Sequence, residues 1–144
     1  MTPAQSSPHR RYFIGAAAYW LGFGLITTFY PRLMDLFQTP EGVAAKTVFS
    51  DHVWFHGGLD IISFSILLLF LSRERVSSRM LRGTSLATLM PVLAIGYSYL
   101  ATPFWTPLFL VAGGGCLAFS VWGFALAAKL DRQPVEGLAP LAHV

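Results

Sequence analysis

Four apolar runs, each close to the length needed to cross a bilayer, occupy most of this 144-residue chain and leave little room for another architecture. A spanning helix takes about 20 predominantly apolar residues, and the runs lie at 12–30, 52–72, 84–101 and 106–128. Hydrophobic residues make up 54% of the chain and charged ones 12%, a balance too apolar for an ordinary soluble domain. The pattern predicts an all-α fold: an integral membrane four-helix bundle forming one domain, with flexible tails at 1–8 and 134–144. Pro31 stops the first run, and Pro91 sits inside the third, where it is expected to bend the helix. The third and fourth runs are joined by the uncharged turn Thr102-Pro103-Phe104-Trp105-Thr106-Pro107, which predicts an antiparallel hairpin. No internal repeat relates the two halves, which disfavours alternating-access transport.

Orientation follows from the basic residues. Arg10, Arg11, Arg73, Arg75, Arg79, Arg82, Lys129 and Arg132 fall on one side of the predicted helices; Arg32 and Lys46 fall on the other. The positive-inside rule places both termini and the 73–83 loop in the cytoplasm of a multi-pass inner-membrane protein, so the second run is entered from outside. The same clustering beside apolar runs assigns the net charge of +3 to membrane topology and excludes nucleic acid as a partner. Gly15-Ala16-Ala17-Ala18 comes too early for a signal-peptide cleavage site, and the run continues for a full span, so an uncleaved first helix is expected. The lone Cys116, inside an apolar run, allows no intrachain disulfide and no thiolate-rich metal site.

The first external connection, 31–50, carries structure signals of its own. Thr39-Pro40-Glu41 reads as a helix start, with Thr39 as N-cap, Pro40 at the first helical position and Glu41 near the positive end of the dipole. Leu33, Met34, Leu36 and Phe37 before it, and Val43, Ala44, Val48 and Phe49 after it, form apolar sides. Short helices lying at the membrane interface are expected, as anchors or as a lid over the bundle mouth.

Chemistry is concentrated in Asp51-His52-Val53-Trp54-Phe55-His56-Gly57-Gly58-Leu59-Asp60, which leads into the apolar stretch 61–71. At helical spacing His52, His56 and Asp60 stack one turn apart along one face. With Ser50 or Asp51 as the cap, His56 lies roughly 8 Å and Asp60 roughly 14 Å below the external surface, the latter near the middle of a hydrocarbon core about 30 Å thick. No Lys, Arg or His lies inside the other three runs. Asp60 is then either protonated and hydrogen-bonded or ionised against a cationic His56. Intramembrane ionisable groups usually serve function, which points to a proton-handling site, either an acid and base for a lipophilic substrate or a relay from the external face through His52. A structural contact, with Asp60 satisfied by Ser63, Thr27, Thr28, Tyr97 or Ser98, stands beside that reading.

His52 and His56 have a two-ligand metal spacing, but Val53 stands where the metalloprotease motif has Glu, and three ligands spread over two turns do not converge. Haem lacks a second axial His, with only Met90 as a substitute. No metal and no other cofactor is expected. Gly57 and Gly58 leave room for a neighbouring backbone or a flat ligand; Ala18, Gly22, Gly113, Gly114, Gly115 and Ala118 read as small-residue packing surfaces. Tyr30, Trp54, Tyr97, Tyr99, Phe104 and Trp105 gather towards the external side, as an interfacial belt or as the lining of a pocket above Asp60. Arg32 then meets an anionic group of the ligand or snorkels to lipid phosphate.

From Leu25 to Leu71 the chain runs through a first helix ending in Tyr30-Pro31, the apolar Leu33-Met34-Asp35-Leu36-Phe37, then Ser50-Asp51-His52 leading into Phe55-His56-Gly57-Gly58 and a long apolar helix. This arrangement resembles the DoxX-like group of small four-helix bacterial membrane proteins. The resemblance implies the four-helix fold; some of that group are associated with quinone-linked sulfur oxidation, and His56 and Asp60 align with no catalytic residues of it. The expected function is binding of a small lipophilic molecule at an externally accessible polar site on the second helix, with His52, Trp54, Gly57, Tyr97 and Arg32 as ligand contacts. One rival is a membrane-embedded enzyme that uses His56 and Asp60 as an acid/base pair for an isomerisation, cyclisation or hydrolysis. A second is a structural or assembly subunit of a larger membrane complex. The lipid bilayer is the expected surrounding partner, and a homo-oligomer or a larger complex stays open.

Overall fold

A computed structural model describes residues 8–132, apart from the side chains of 48, 49 and 51. Its named elements are α1 (Pro8–Phe29), a 3-10 helix (Pro31–Phe37), α2 (Pro40–Ala44), α3 (Val48–Leu71), α4 (Ser78–Ala101) and α5 (Leu108–Asp131). Each of the four long helices contains a stretch long and apolar enough to cross a membrane, so the chain is a multi-pass helical protein with lipid against its outer faces. The helices outrun the apolar runs because polar residues beyond them supply caps. In α3 the cap is Thr47, in place of the expected Ser50 or Asp51: the Thr47 hydroxyl accepts from Ser50 N at 3.3 Å, and Ser50 Oγ accepts from Thr47 N at 2.9 Å. α4 likewise begins well before the apolar run, because the Ser77 hydroxyl accepts from Met80 N at 3.2 Å. Pro8 opens α1 and so leaves the expected tail, whose other residues, 1–7 and 134–144, lie outside the described set.

α1 packs along α3, α4 packs along α5, and the two pairs meet through α1 and α5. Close approach in the first pair depends on glycine. A Cβ built on Gly24 would lie 3.0 Å from Gly58 O, and one on Gly58 would lie 2.7 Å from Thr27 Oγ1 and 2.9 Å from Thr28 N. Between the pairs, Tyr19 Oη donates to Ala112 O at 2.6 Å and its ring covers Gly115. In the second pair, Ser120 Oγ donates to Ser85 O at 2.8 Å, Ile95 lies over Gly113, and an Arg82–Asp131 ion pair joins the ends. The small-residue surfaces therefore differ from those expected: Gly22, Gly57 and Gly114 have nothing within 4 Å of an added Cβ, and Ala18 and Ala118 are exposed. Adjacent small residues spread around a helix at about 100° per residue, so only those turned to a neighbour can pack.

Tyr12, Phe13, Ala16, Leu68, Leu81 and Ala127 are fully buried in one cluster towards the end of the bundle that bears Arg10, Arg82 and Lys129. α3 and α4 make no contact comparable to the other helix pairs. The space between them, away from the packed end, holds the site.

Candidate functional site

At the end remote from that core, the segment 31–47 is fastened across the α4–α5 turn. Thr39 N donates to Phe104 O at 2.9 Å and Thr106 N to Phe37 O at 2.8 Å, and Thr39 Oγ1 donates to Pro103 O at 2.9 Å. Thr39 also caps α2, accepting from Gly42 N at 3.2 Å, with Pro40 in the first turn. Gly42 is needed where α2 lies on the turn, because a Cβ there would come 2.5 Å from Phe104 O. An Asp35–Lys46 ion pair closes the segment on itself. Beneath this strap, Trp54 of α3 meets Trp105 edge-on at 6.1 Å, and Trp105 stacks on Phe109 of α5 at 4.1 Å.

Towards the middle of the helices lies an apolar cavity of about 190 Å³, walled by Trp20, Trp54, Ile61, Pro91, Ile95 and Phe109, so that all four long helices contribute. Through Trp54 it borders a space of about 350 Å³ under the strap, reached by Gln38, Lys46 and Trp105. Through Trp20, Ile61 and Pro91 it borders a cleft of about 310 Å³ between α3 and α4, which carries Asp60, Phe64, Ala87 and Met90. Polar groups at this cleft are few. Asp60 supplies a carboxyl, and Pro91, having no N–H, cannot donate to the carbonyl of Ala87 one turn back, which leaves that acceptor without its helical donor. Trp20 is only 4% exposed, packs edge-on to Phe64 at 5.9 Å, and its Nε1–H has no acceptor.

His52, His56 and Asp60 do not act on one surface. Four residues advance a helix about 40° beyond a full turn, so the ladder drifts by about 80° from first to last. His52 lies with Thr27, Thr28, Pro31 and Phe55 on the α1 side; His56 faces outward with its ring edge-on to Phe55 at 5.8 Å; Asp60 reaches the α4 side. All three are exposed on the protein surface, and among the described residues no hydrogen bond or ion pair joins His56 to Asp60. The buried face of α3 is taken by Gly58, Ser65 and Leu68, the residues that fit against α1 and the core.

Among the described residues, none of the supports expected for Asp60 bonds to it. Ser63 Oγ donates to Leu59 O at 2.9 Å, Thr27 Oγ1 donates to Gly24 O at 3.0 Å, and Thr28 Oγ1 is buried without a partner. Tyr97 is 74% exposed and lines none of these spaces, and Arg32 is exposed as well. Trp54 alone among the expected ligand contacts borders the cavity; Gly57 has open space around it. Trp20, Ile61, Ile95 and Phe109 were not foreseen as site residues, since an apolar residue facing a void has the same sequence signature as one facing a neighbour. Pro91 offered the one usable signal, a helix interruption at mid-span.

Among the described residues, no group of three or more His, Cys, Asp or Glu side chains converges on one point. No family model, curated protein or solved structure matches the chain.

Proposed function

We propose that this is an inner-membrane protein, with both termini in the cytoplasm, that holds a small lipophilic molecule in the cavity and cleft between α3 and α4. The observation that carries this reading is an apolar cavity walled by all four long helices that shares Trp20, Ile61 and Pro91 with a cleft opening between two of them. The cleft, at about 310 Å³, reaches the lower end of the roughly 300–1,000 Å³ typical of small-molecule sites. Its aromatic and aliphatic walls favour a ring system or a short chain. Asp60 and the Ala87 carbonyl both accept hydrogen bonds, so the preferred guest carries a donor such as a hydroxyl at one end. The strap across the α4–α5 turn obstructs the watery end, which makes the α3–α4 opening the route for a molecule already dissolved in lipid.

Segregation of basic residues to the packed end supports the orientation, and the likeness of Leu25–Leu71 to the DoxX-like group supports the fold expectation without adding chemistry. The acid/base reading has less support, because His56 and Asp60 are unjoined among the described residues and only Asp60 borders the cleft. The test is solvent extraction of the protein purified in mild detergent, with the bound lipophile identified by mass spectrometry. Ala94→Phe, which places a ring in the cavity wall, is expected to reduce that lipophile several-fold in a folded protein. An unchanged complement in Ala94→Phe, or wild-type protein that carries nothing beyond bulk lipid, would overturn the proposal.

A further inference from the structure

Six residues of α3 recur at alternating intervals of three and four: Val53, His56, Asp60, Ser63, Leu67 and Phe70. All six are exposed. This is the heptad spacing of helices that pair along a seam, here on a helix face that, among the described residues, α4 approaches only beside Asp60. A strip that served only as lipid contact would be apolar throughout. This one is apolar at both ends and polar over its middle, where polar side chains in a bilayer act as contacts between helices. Among the described residues the three polar groups make no hydrogen bond beyond their own helix. His56 touches the ring of Phe55, Ser63 donates back to Leu59 O, and Asp60 has no hydrogen bond or ion pair among the described residues.

We propose that two copies of the chain pair through this strip, side by side in the same orientation, with His56 of each copy donating to Asp60 of the other. Copies inserted the same way are related by a two-fold axis along the membrane normal, which brings residues of equal depth together. His56 and Asp60 lie about 6 Å apart along the helix, in adjacent layers of the seam, so two reciprocal contacts form across the axis. The strip is self-complementary, since it presents a donor and an acceptor one layer apart. That is what an isologous interface requires, and it is why a second copy, and not an unrelated protein, is the fitting occupant. Gly57, at the edge of the strip, has nothing within 4 Å of an added Cβ and lets the second helix come close. A carboxylate accepts through both oxygens, so Asp60 can meet the second copy and still face the cleft. The pairing does not depend on the ligand reading: the two share Asp60, but Trp54, Ile61 and Phe64, the other α3 residues at the cavity and cleft, lie outside the strip.

The test is disulfide trapping of the full chain in native membranes, in a Cys116→Ala background. Val53→Cys and Leu67→Cys, on the strip, are expected to give a linked dimer on oxidation, whereas Leu110→Cys, 42% exposed on α5, does not. In the Leu67→Cys background, Asp60→Leu and His56→Leu should each lower the linked fraction, with an association constant about tenfold weaker. The exchange of both, His56→Asp with Asp60→His, should restore it. Should the exchanged protein fail to insert, Asp60→Asn keeps an acceptor and is expected to retain the link. Equal trapping at Leu110→Cys, no effect of Asp60→Leu, no restoration by the inserted exchange, or a linked band at the mass of a different protein would each refute the pairing. Loss of lipophile in Ala94→Phe with trapping intact, or the reverse, separates a failure of this proposal from a failure of the ligand reading.

Discussion

Replacing Gly58 by alanine tests the contact that fixes the rotation of α3 and thereby decides which residues reach the cleft. In a helix interior, alanine is favoured over glycine by about 1 kcal/mol, so the exchange would stabilise α3 if nothing stood nearby. At Gly57 nothing does, and Gly57→Ala is expected to realise that gain. At Gly58 the new methyl collides with Thr28 Oγ1 and comes 2.7 Å from Thr27 Oγ1 and 2.9 Å from Thr28 N. These atoms have little freedom: Thr27 is 1% exposed, and its hydroxyl already donates to Phe23 O and Gly24 O. Helix α1 must therefore shift outward. Overpacking of this kind costs about 1–3 kcal/mol, and with a backbone nitrogen among the atoms struck the upper part of that range applies. The net expectation is a loss of about 1–2 kcal/mol for Gly58→Ala, opposite in sign to the effect at its neighbour. Thermal unfolding of the detergent-solubilised protein, followed by tryptophan fluorescence, reads the difference directly. The melting order should be Gly57→Ala, wild type, Gly58→Ala; a Gly58→Ala protein that melts at or above wild type refutes the packing described for α1 and α3.

Tyr19→Phe removes the 2.6 Å hydrogen bond to Ala112 O and should cost about 1 kcal/mol in the same melts. Gly115→Ala should cost more, because its methyl would lie 2.6 Å from Tyr19 Oη and displace the whole ring. Thr39→Ala removes the α2 cap together with the contact to Pro103 O, at a cost of about 1–2 kcal/mol confined to the strap. It is expected to accelerate nicking within 31–47 by added protease, while Arg82→Gln at the opposite, exposed ion pair leaves that rate unchanged.

The four spanning helices could be read from the sequence because length and hydropathy are summed over some twenty residues, and no single neighbour alters the sum. The start of α2 could be read for a different reason: Thr39, Pro40 and Glu41 act on backbone groups within one turn of themselves. The face of α3 turned inward was not legible. It is set by Gly58 against Thr27 and Thr28, a contact between residues some thirty positions apart, and periodicity alone cannot distinguish it from a face set by Gly57. The side on which Asp60 stands has the same origin. Position along the helix sets depth in the membrane, whereas the neighbours a side chain meets depend on rotation about the axis, and the ladder from His52 turns far enough to carry Asp60 round to the α4 side. α3 starts before the expected cap, Ser50 or Asp51, because Thr47 caps it and Ser50 is the reciprocal partner of Thr47.

The hold of the segment 31–47 on the α4–α5 turn has a mechanical consequence. With the strap at one end and the packed residues around Tyr12 and Leu81 at the other, α3 and α4 are held relative to each other at both tips and rest between them on α1 and α5 and not on one another. Such a pair yields most at its middle and least near its joints. The middle is the level of Ile61 and Pro91, and Pro91 also lacks one of the bonds that stiffen a helix. Compliance is thus concentrated at the height where Asp60 stands, and the molecule can widen there without either end coming apart.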